Sequence, residues 1–438
     1  MDFPGAYMGR KILVTVTTTS LLAFSFLLGS MYSVFQGKTA HKVTEVSDRI
    51  RQHYPEDVPD DKLERAAVDG MLSVTDPWSQ YFTAAEWREW SARVMSGRFH
   101  GVGIRVEADH KTGYLRVTSP IENSPAFEAG LLPGDLIVAV GGVDIQNQAL
   151  DQVISRIKGD AGTQVTLSLR RADQKDPFDV TLTRAEIKIQ AVKHRFAAPG
   201  LGYIRIDDFT EAVPADVESA YGELRAKGMK ALAIDLRFNG GGLLKSAIEL
   251  CDLWLPAGQV VAMSEGKRPE YRRTYRTEKA DAFPSAIPVV ILVNRGTASA
   301  SEIVAGAFRD HGLATLIGSR TFGKGLVQSS FDLSDGSHLK LTTARWLTPN
   351  GVQVGAKDPN SDAGLMPDHL VEMTPEEEGA VLKRWFAESI VKGPPLSDPP
   401  PRDYVLEAGL EALTAKLEGR TPKVERREIP KAAAPEPK

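Results

Sequence analysis

The chain changes its hydrophobic rhythm several times, and each change marks a candidate boundary. From Ile12 to Phe35 the residues are largely apolar, and no charge appears between Lys11 and Lys38. A run of that length suffices to cross a bilayer, and the preceding pair Arg10-Lys11 favours a cytoplasmic N-terminus. A cleaved secretory signal is the rival reading, with Ala23-Phe24-Ser25 as a small-x-small site. That cut would leave FLLGSMYSVF on the mature chain, which favours an uncleaved anchor over residues 1–41. Either way, the bulk of the chain is expected outside the cytoplasm, on the periplasmic side of the inner membrane.

Apolar residues then recur every three or four positions from 42 to 96, in VTEVSDRIRQHY, DKLERAAVDGMLSV and TAAEWREWSARVM. This spacing predicts helices, with Asp60-Asp61 and Thr83 at their starts. Residues 97–185 read instead as short strands (GVGIRVEA, YLRVTS, LIVAVGG, TQVTLSLR, DVTLTR) interrupted by one helix, ALDQVISRIKG. From 186 to 375 strands and helices alternate, which predicts a mixed α/β layered core. Helical spacing returns over 376–420. The tail 421–438, rich in Pro, Lys, Glu and Ala, is expected to lack fixed structure.

Composition removes several functions. A formal net charge of −4 in 438 residues gives no footprint for nucleic acid. The eight histidines form no H-E-x-x-H pair and no cluster with cysteine, so no metal and no cofactor is expected. Cys251 sits in an apolar helical run, AIELCDLWL, where a buried inert thiol is expected.

In the strand-rich segment, Gly101-Val102-Gly103-Ile104 opens a strand with glycines that let backbone N–H groups point outward together, a nest for a carboxylate. Further on, SPAFEAGLLPGDLIVAVGG places Ser124, Pro125, Ala126, Ala129, Gly130, Leu131, Gly134, Asp135 and Ile137 in a pattern that resembles the PDZ-domain signature. The resemblance implies that a peptide C-terminus adds as a strand beside Ile104, with its carboxylate on the Gly101–Gly103 loop. The helix near Leu150–Ile157 would form the other wall.

The run NRGTASASEIVAG, Asn294–Gly306, poses the chemical question. Ser299 followed by Glu302 before an apolar run is a capping box, and from these residues alone the cap is the simpler reading. A helix N-terminus also offers unpartnered amides and a dipole that favours negative charge. A serine there, followed by the Ala300 N–H, has the parts of a nucleophile with an oxyanion donor. Its base would have to be neutral at working pH. Lys324, between Gly323 and Gly325, is the candidate, and a lysine serves once its pKa falls from about 10.4 by roughly three units. Gln328 lies four residues on, on the same face in either regular structure. The stretch GSRTFGKG nearly fits a phosphate loop, but Gly325 replaces the magnesium-binding hydroxyl and a strand follows instead of a helix, so nucleotide binding is rejected. Finally, IDLRFNGGG leads a strand into a glycine turn, Gly240–Gly242, whose backbone can approach a substrate closely.

Together, IDLRFNGGG, NRGTASASEI and FGKGLVQ resemble the D-L-R-x-N-x-G-G, N-x-x-[ST]-A-S-A-S-E-I and G-K-[GA]-x-x-Q motifs of the C-terminal processing, or tail-specific, S41 serine peptidases. The stretch GMLSVTDPWSQYFTAAEW is similar to that family's helical preamble, with Trp78 in place of the usual histidine. The resemblance implies a crotonase/ClpP-like protease core with an inserted PDZ domain. It makes Ser299 the nucleophile, Lys324 the general base and Gln328 the residue that positions the lysine. Ala300 and one glycine of the 240–242 turn, Gly241 foremost, supply the oxyanion amides. Ser301 is the rival nucleophile. The partners implied are polypeptides with free C-termini and, through the anchor, the membrane; an adaptor protein and a homo-oligomer are compatible with this architecture. A catalytically dead PDZ scaffold or chaperone is the alternative from another class. Acyl-CoA chemistry on a related core is weakened by the Ser–Lys pair.

Overall fold

The computed structural model describes residues 38–429, apart from 110–111, 122, 149, 172–173, 175, 189, 280–282, 284–286, 356–362 and 389–399. The expected anchor, residues 12–35, lies outside the described residues. Among the described residues no helix is long and apolar enough to cross a membrane. The chain divides into two units, one ending at Tyr81 and the other beginning at Phe82.

The first unit holds α1 (Lys38–His53) and α2 (Asp60–Leu72). Arg51 joins them through an exposed pair with Asp60 at 2.8 Å. Asp60 and Asp61 lie in the first turn of α2, where the helix dipole favours them, and Pro59 is the cap. After β1 (Gln80–Phe82), the third expected helix, α3 (Ala84–Ser96), belongs to the second unit. The Thr83 hydroxyl accepts from the Glu86 N–H and the Glu86 carboxylate accepts from the Thr83 N–H, which makes the expected cap a capping box.

The PDZ region follows as β2 (Arg98–Gly101), β3 (Ile104–Asp109), β4 (Tyr114–Pro120), α4 (Pro125–Glu128), β5 (Leu136–Val140), β6 (Val143–Asp144), α5 (Leu150–Ile157), β7 (Gln164–Arg170), β8 (Phe178–Thr183) and β9 (Ala185–Lys188). Its antiparallel sheet runs β3-β4-β5-β7-β8, so β3 is an edge strand. β2 and β9 pair with each other where the chain enters and leaves the region.

The core contains β10 (Val192–Ala198), β11 (Leu201–Ile206), α6 (Val213–Ala226), β12 (Ala231–Asp235), α7 (Leu244–Cys251), β13 (Val260–Gly266), β14 (Arg273–Arg276), β15 (Val289–Val293), α8 (Ala300–Asp310), β16 (Ala314–Gly318), β17 (Leu326–Asp332), β18 (His338–Leu347) and β19 (His369–Leu370). The main sheet runs β10-β11-β12-β15-β16-β19 and is parallel from β11 onward. Its central strands β11, β12 and β15 are buried at every position because both faces are covered, and Arg205 and Asp235 are the charged residues among them. Ile204, Leu232, Ile234, Val289 and Ile291 face the larger cluster with α6, α7 and α8. Tyr203, Ala231, Ala233, Val290 and Leu292 face a second cluster with Val405, Ala412 and Leu413. Those last three belong to α10 (Tyr404–Glu418), which follows α9 (Pro375–Glu388). A second, antiparallel sheet orders β17, β18, β13 and β14.

Within the tail, residues 421–429 depart from expectation. Residues 421–429 are held in place: the Arg427 N–H donates to Leu370 O, and the Arg427 carbonyl accepts from the Glu372 N–H. Composition favoured disorder there, but the backbone adds beside Val371 at the edge of the main sheet, and Arg427 pairs with Glu377.

Candidate active site

The parallel strands β12 and β15 end side by side, and both candidate loops leave from those ends. After β12 comes Arg237-Phe238-Asn239-Gly240-Gly241-Gly242; after β15 comes Asn294 to Ser299. The Asn294 side chain joins the two, its oxygen accepting from the Phe238 N–H at 2.9 Å and the Gly296 N–H at 3.0 Å.

Ser299 sits at the start of α8 with φ +56°, a conformation rare for a residue with a side chain. A strained serine at a strand-to-helix turn is what an exposed nucleophile needs. Gly241 lies against it: a Cβ there would fall 2.8 Å from Ser299 Cβ and 2.9 Å from the Ala300 nitrogen, so only glycine fits. The Ala300 N–H is the first of the helix and has no intrahelical acceptor. The Gly241 N–H donates to Asn239 Oδ1 at 2.9 Å. Asn239 is fully buried, and its amide nitrogen donates to Ile206 O. Its carbonyl accepts from the Ala298 N–H and the Ser301 hydroxyl, both at 3.0 Å. Ser301 is therefore a buried clip between the glycine turn and α8, with its hydroxyl turned away from solvent.

The residue the sequence reading undervalued is Glu302. Its carboxylate is fully buried. One oxygen accepts from the Ser299 N–H at 2.8 Å and the Lys324 N–H at 2.9 Å, so those two nitrogens are less than about 6 Å apart. The other accepts from the Thr321 hydroxyl at 2.5 Å and the Gly323 N–H at 2.7 Å. Burial pushes the Glu302 carboxyl above its usual range, and the four donors oppose that rise. The sequence showed Glu302 as a helix cap; its second task depends on a loop some twenty residues away.

Lys324 is half-buried. Its carbonyl accepts from the Trp346 indole at 2.9 Å, and Gly325 O accepts from the Trp346 N–H, which fixes the loop to β18. Gln328 lies in β17, and its amide nitrogen donates to the Thr342 hydroxyl at 3.3 Å. Lys324 precedes β17, so the same-face argument does not apply to the pair.

Behind the glycine turn lies a charge network the motif reading did not separate. Arg237 and Asp235 are both buried and paired at 2.7 Å. Tyr203 donates to the same carboxylate at 2.8 Å. Arg237 also takes both oxygens of Asp403, whose carboxylate caps α10 by accepting from the Leu406 N–H. Cys251 is fully buried, and burial pushes its thiol well up, so it is inert.

In the PDZ region, Val102 O accepts from the Ala126 N–H, and Gly103 O from the Ile121 N–H and the Ser124 hydroxyl. In a trans peptide the C=O and the following N–H point opposite ways, so the Gly103 and Ile104 N–H groups face away from these partners. Gly103 has φ +76°, and a Cβ on it would strike Ser124.

Residues 200–371 match peptidase family S41 and residues 116–171 match the PDZ domain. The carboxy-terminal-processing protease of Bartonella bacilliformis is 33% identical over 394 residues, covering 88% of each chain. The chain belongs to this S41 family of carboxy-terminal-processing proteases. It is a serine peptidase with a PDZ domain on a mixed α/β core. A "Probable CtpA-like serine protease" of Staphylococcus saprophyticus is 33% identical over 379 residues, 85% of this chain and 74% of that one. Among solved structures, a photosystem II D1 C-terminal processing protease is 30% identical, with a TM-score of 0.48 over 84% of this chain and 93% of that one.

Proposed function

We propose that this peptidase works with a Ser–Lys dyad, in which Ser299 attacks the scissile carbonyl and Lys324 takes its proton. The observation that supports this most strongly is the shared Glu302 oxygen, which fastens the backbones of both residues to one buried point. The Lys324 amine, neutral at working pH, removes the Ser299 proton and returns it to the leaving amine. Water then releases the acyl group by the same route. Negative charge on the tetrahedral oxygen meets the Ala300 N–H and an amide of the glycine turn. Gly241 is the glycine that packs on Ser299, and its N–H leaves Asn239 Oδ1 to serve. Gln328 acts on the lysine from β17.

A free polypeptide C-terminus is captured first. It adds along the open edge of β3, with its carboxylate on the Gly103 and Ile104 amides of the Gly101–Ile104 loop. The N-terminal apolar run anchors the chain, with its catalytic part outside the cytoplasmic membrane. Cleavage of an unfolded protein by the wild type, Ser299→Ala and Ser301→Ala tests the nucleophile. The first variant is expected to be dead and the second to keep a substantial fraction of activity. The reverse result would make Ser301 the nucleophile.

A further inference from the structure

The segment Gly266–Lys279 carries six cations (Lys267, Arg268, Arg272, Arg273, Arg276, Lys279) against Glu270 and Glu278, in a chain whose net charge is −4. All six are exposed. Among the described residues their one ion pair is Arg268–Glu270 at 2.7 Å. The turn is built rather than loose. The Ser264 hydroxyl donates to Tyr271 O and accepts from the Arg273 N–H. Arg272 donates to Gly266 O and Lys267 O, and Arg273 to Glu270 O. These bonds gather Lys267, Arg268, Arg272 and Arg273 around one short turn and hold two of the guanidinium groups in place.

The cluster also stands in fixed register with the catalytic loop. Gly325 O bonds the Trp346 N–H, Trp346 pairs with Ser264, and Ser264 pairs with Arg273. Three strand spacings place Arg273 about 14 Å from the backbone beside Lys324, the reach of about four residues of extended chain. Protection of an edge strand is the plainer use of such charges. Arg273 and Arg276 on β14 meet that need, whereas Lys267, Arg268 and Arg272 lie outside the strand.

We propose that this basic turn docks acidic side chains of the polypeptide being cleaved, about four or more residues from the scissile bond. The proposal rests on the peptidase reading above and adds a substrate class to it. Two pairs of unfolded substrates with one common C-terminal tail test it. Each pair carries four Glu or four Gln, placed four to seven residues before the cleavage site in one pair and after it in the other.

Wild type should favour the Glu member of one pair by about tenfold in kcat/KM at low salt, through KM, and the preference should shrink as salt rises. Arg268→Gln/Arg272→Gln/Arg273→Gln should lose the preference and cleave the Gln member at the wild-type rate. Lys267→Glu/Arg268→Glu, which spares the bonds of Arg272 and Arg273, should invert it. No preference in the wild type, or one that survives both variants, overturns the proposal. If no substrate is cleaved, the peptidase reading fails separately. Binding of an octaglutamate peptide to Ser299→Ala then still decides: loss of binding on adding the triple substitution supports the surface, and unchanged binding overturns it. Phosphatidylglycerol vesicles that bind the wild type but not the triple variant, without any substrate preference, would assign the turn to a membrane instead.

Discussion

Glu302 does two jobs whose demands conflict, and that conflict makes it testable. Its oxygens accept four hydrogen bonds, yet burial raises its pKa. Glu302→Gln keeps the shape but places an N–H2 group where one oxygen accepted two donors. Displacement of Ser299 or Lys324 by even an ångström costs about a hundredfold in rate, so kcat is expected to fall by at least about that factor. Stability should respond with the opposite sign at high pH. A carboxyl whose folded pKa is raised stabilises the fold fully below its unfolded value of 4.5, and loses that contribution as pH rises through the folded value. Wild type should therefore lose ground to Glu302→Gln between pH 4 and pH 8, measured as the difference in their thermal midpoints. A constant difference would mean that the carboxyl is not shifted.

At the scale of elements, the site depends on a helix far away in sequence. Arg237 couples the glycine turn to the N-terminus of α10 through Asp403. Arg237→Ala would leave two carboxylates facing each other in a buried space, and chemical denaturation should show a loss of about 3–5 kcal/mol. Leu413→Ala, on the face of α10 that covers β12 and β15, should cost about 2–5 kcal/mol. A loss below about 1 kcal/mol in either would mean that α10 does not support the core.

Most elements were legible because their pattern is strong: ALAI in β12 and VVILV in β15 are unbroken apolar runs, as strands buried on both faces favour. The loops that carry Ser299 and Lys324, which the structure ties to one Glu302 oxygen, were marked by short local motifs. Glu302's bond to Lys324, the Arg237–Asp403 pair and the ordered stretch 421–429 were not. Each joins residues distant in sequence, and no local pattern records such a contact. Gln328 shows the opposite error: a four-residue spacing suggested a shared face, but Lys324 lies before the strand begins.

At the scale of the whole molecule, capture and cleavage are separable. If the Gly103 and Ile104 amides hold a terminal carboxylate, a substrate ending in an amide should bind roughly tenfold to a hundredfold more weakly than the free acid, the worth of a charge-assisted contact. Equal processing of both would remove tail recognition and leave the peptidase intact. The dyad itself is decided by Lys324→Arg. Arginine keeps the positive charge and a similar reach, but with a pKa above roughly 12 it cannot give up its proton. Cleavage of one unfolded substrate by the wild type and by folded Lys324→Arg, followed across pH, tests the central claim most directly. Wild-type kcat should rise with pH as the lysine loses its proton, with an apparent pKa below that of a free amine, and Lys324→Arg should be inactive throughout. A folded Lys324→Arg enzyme that still cleaves would contradict the dyad.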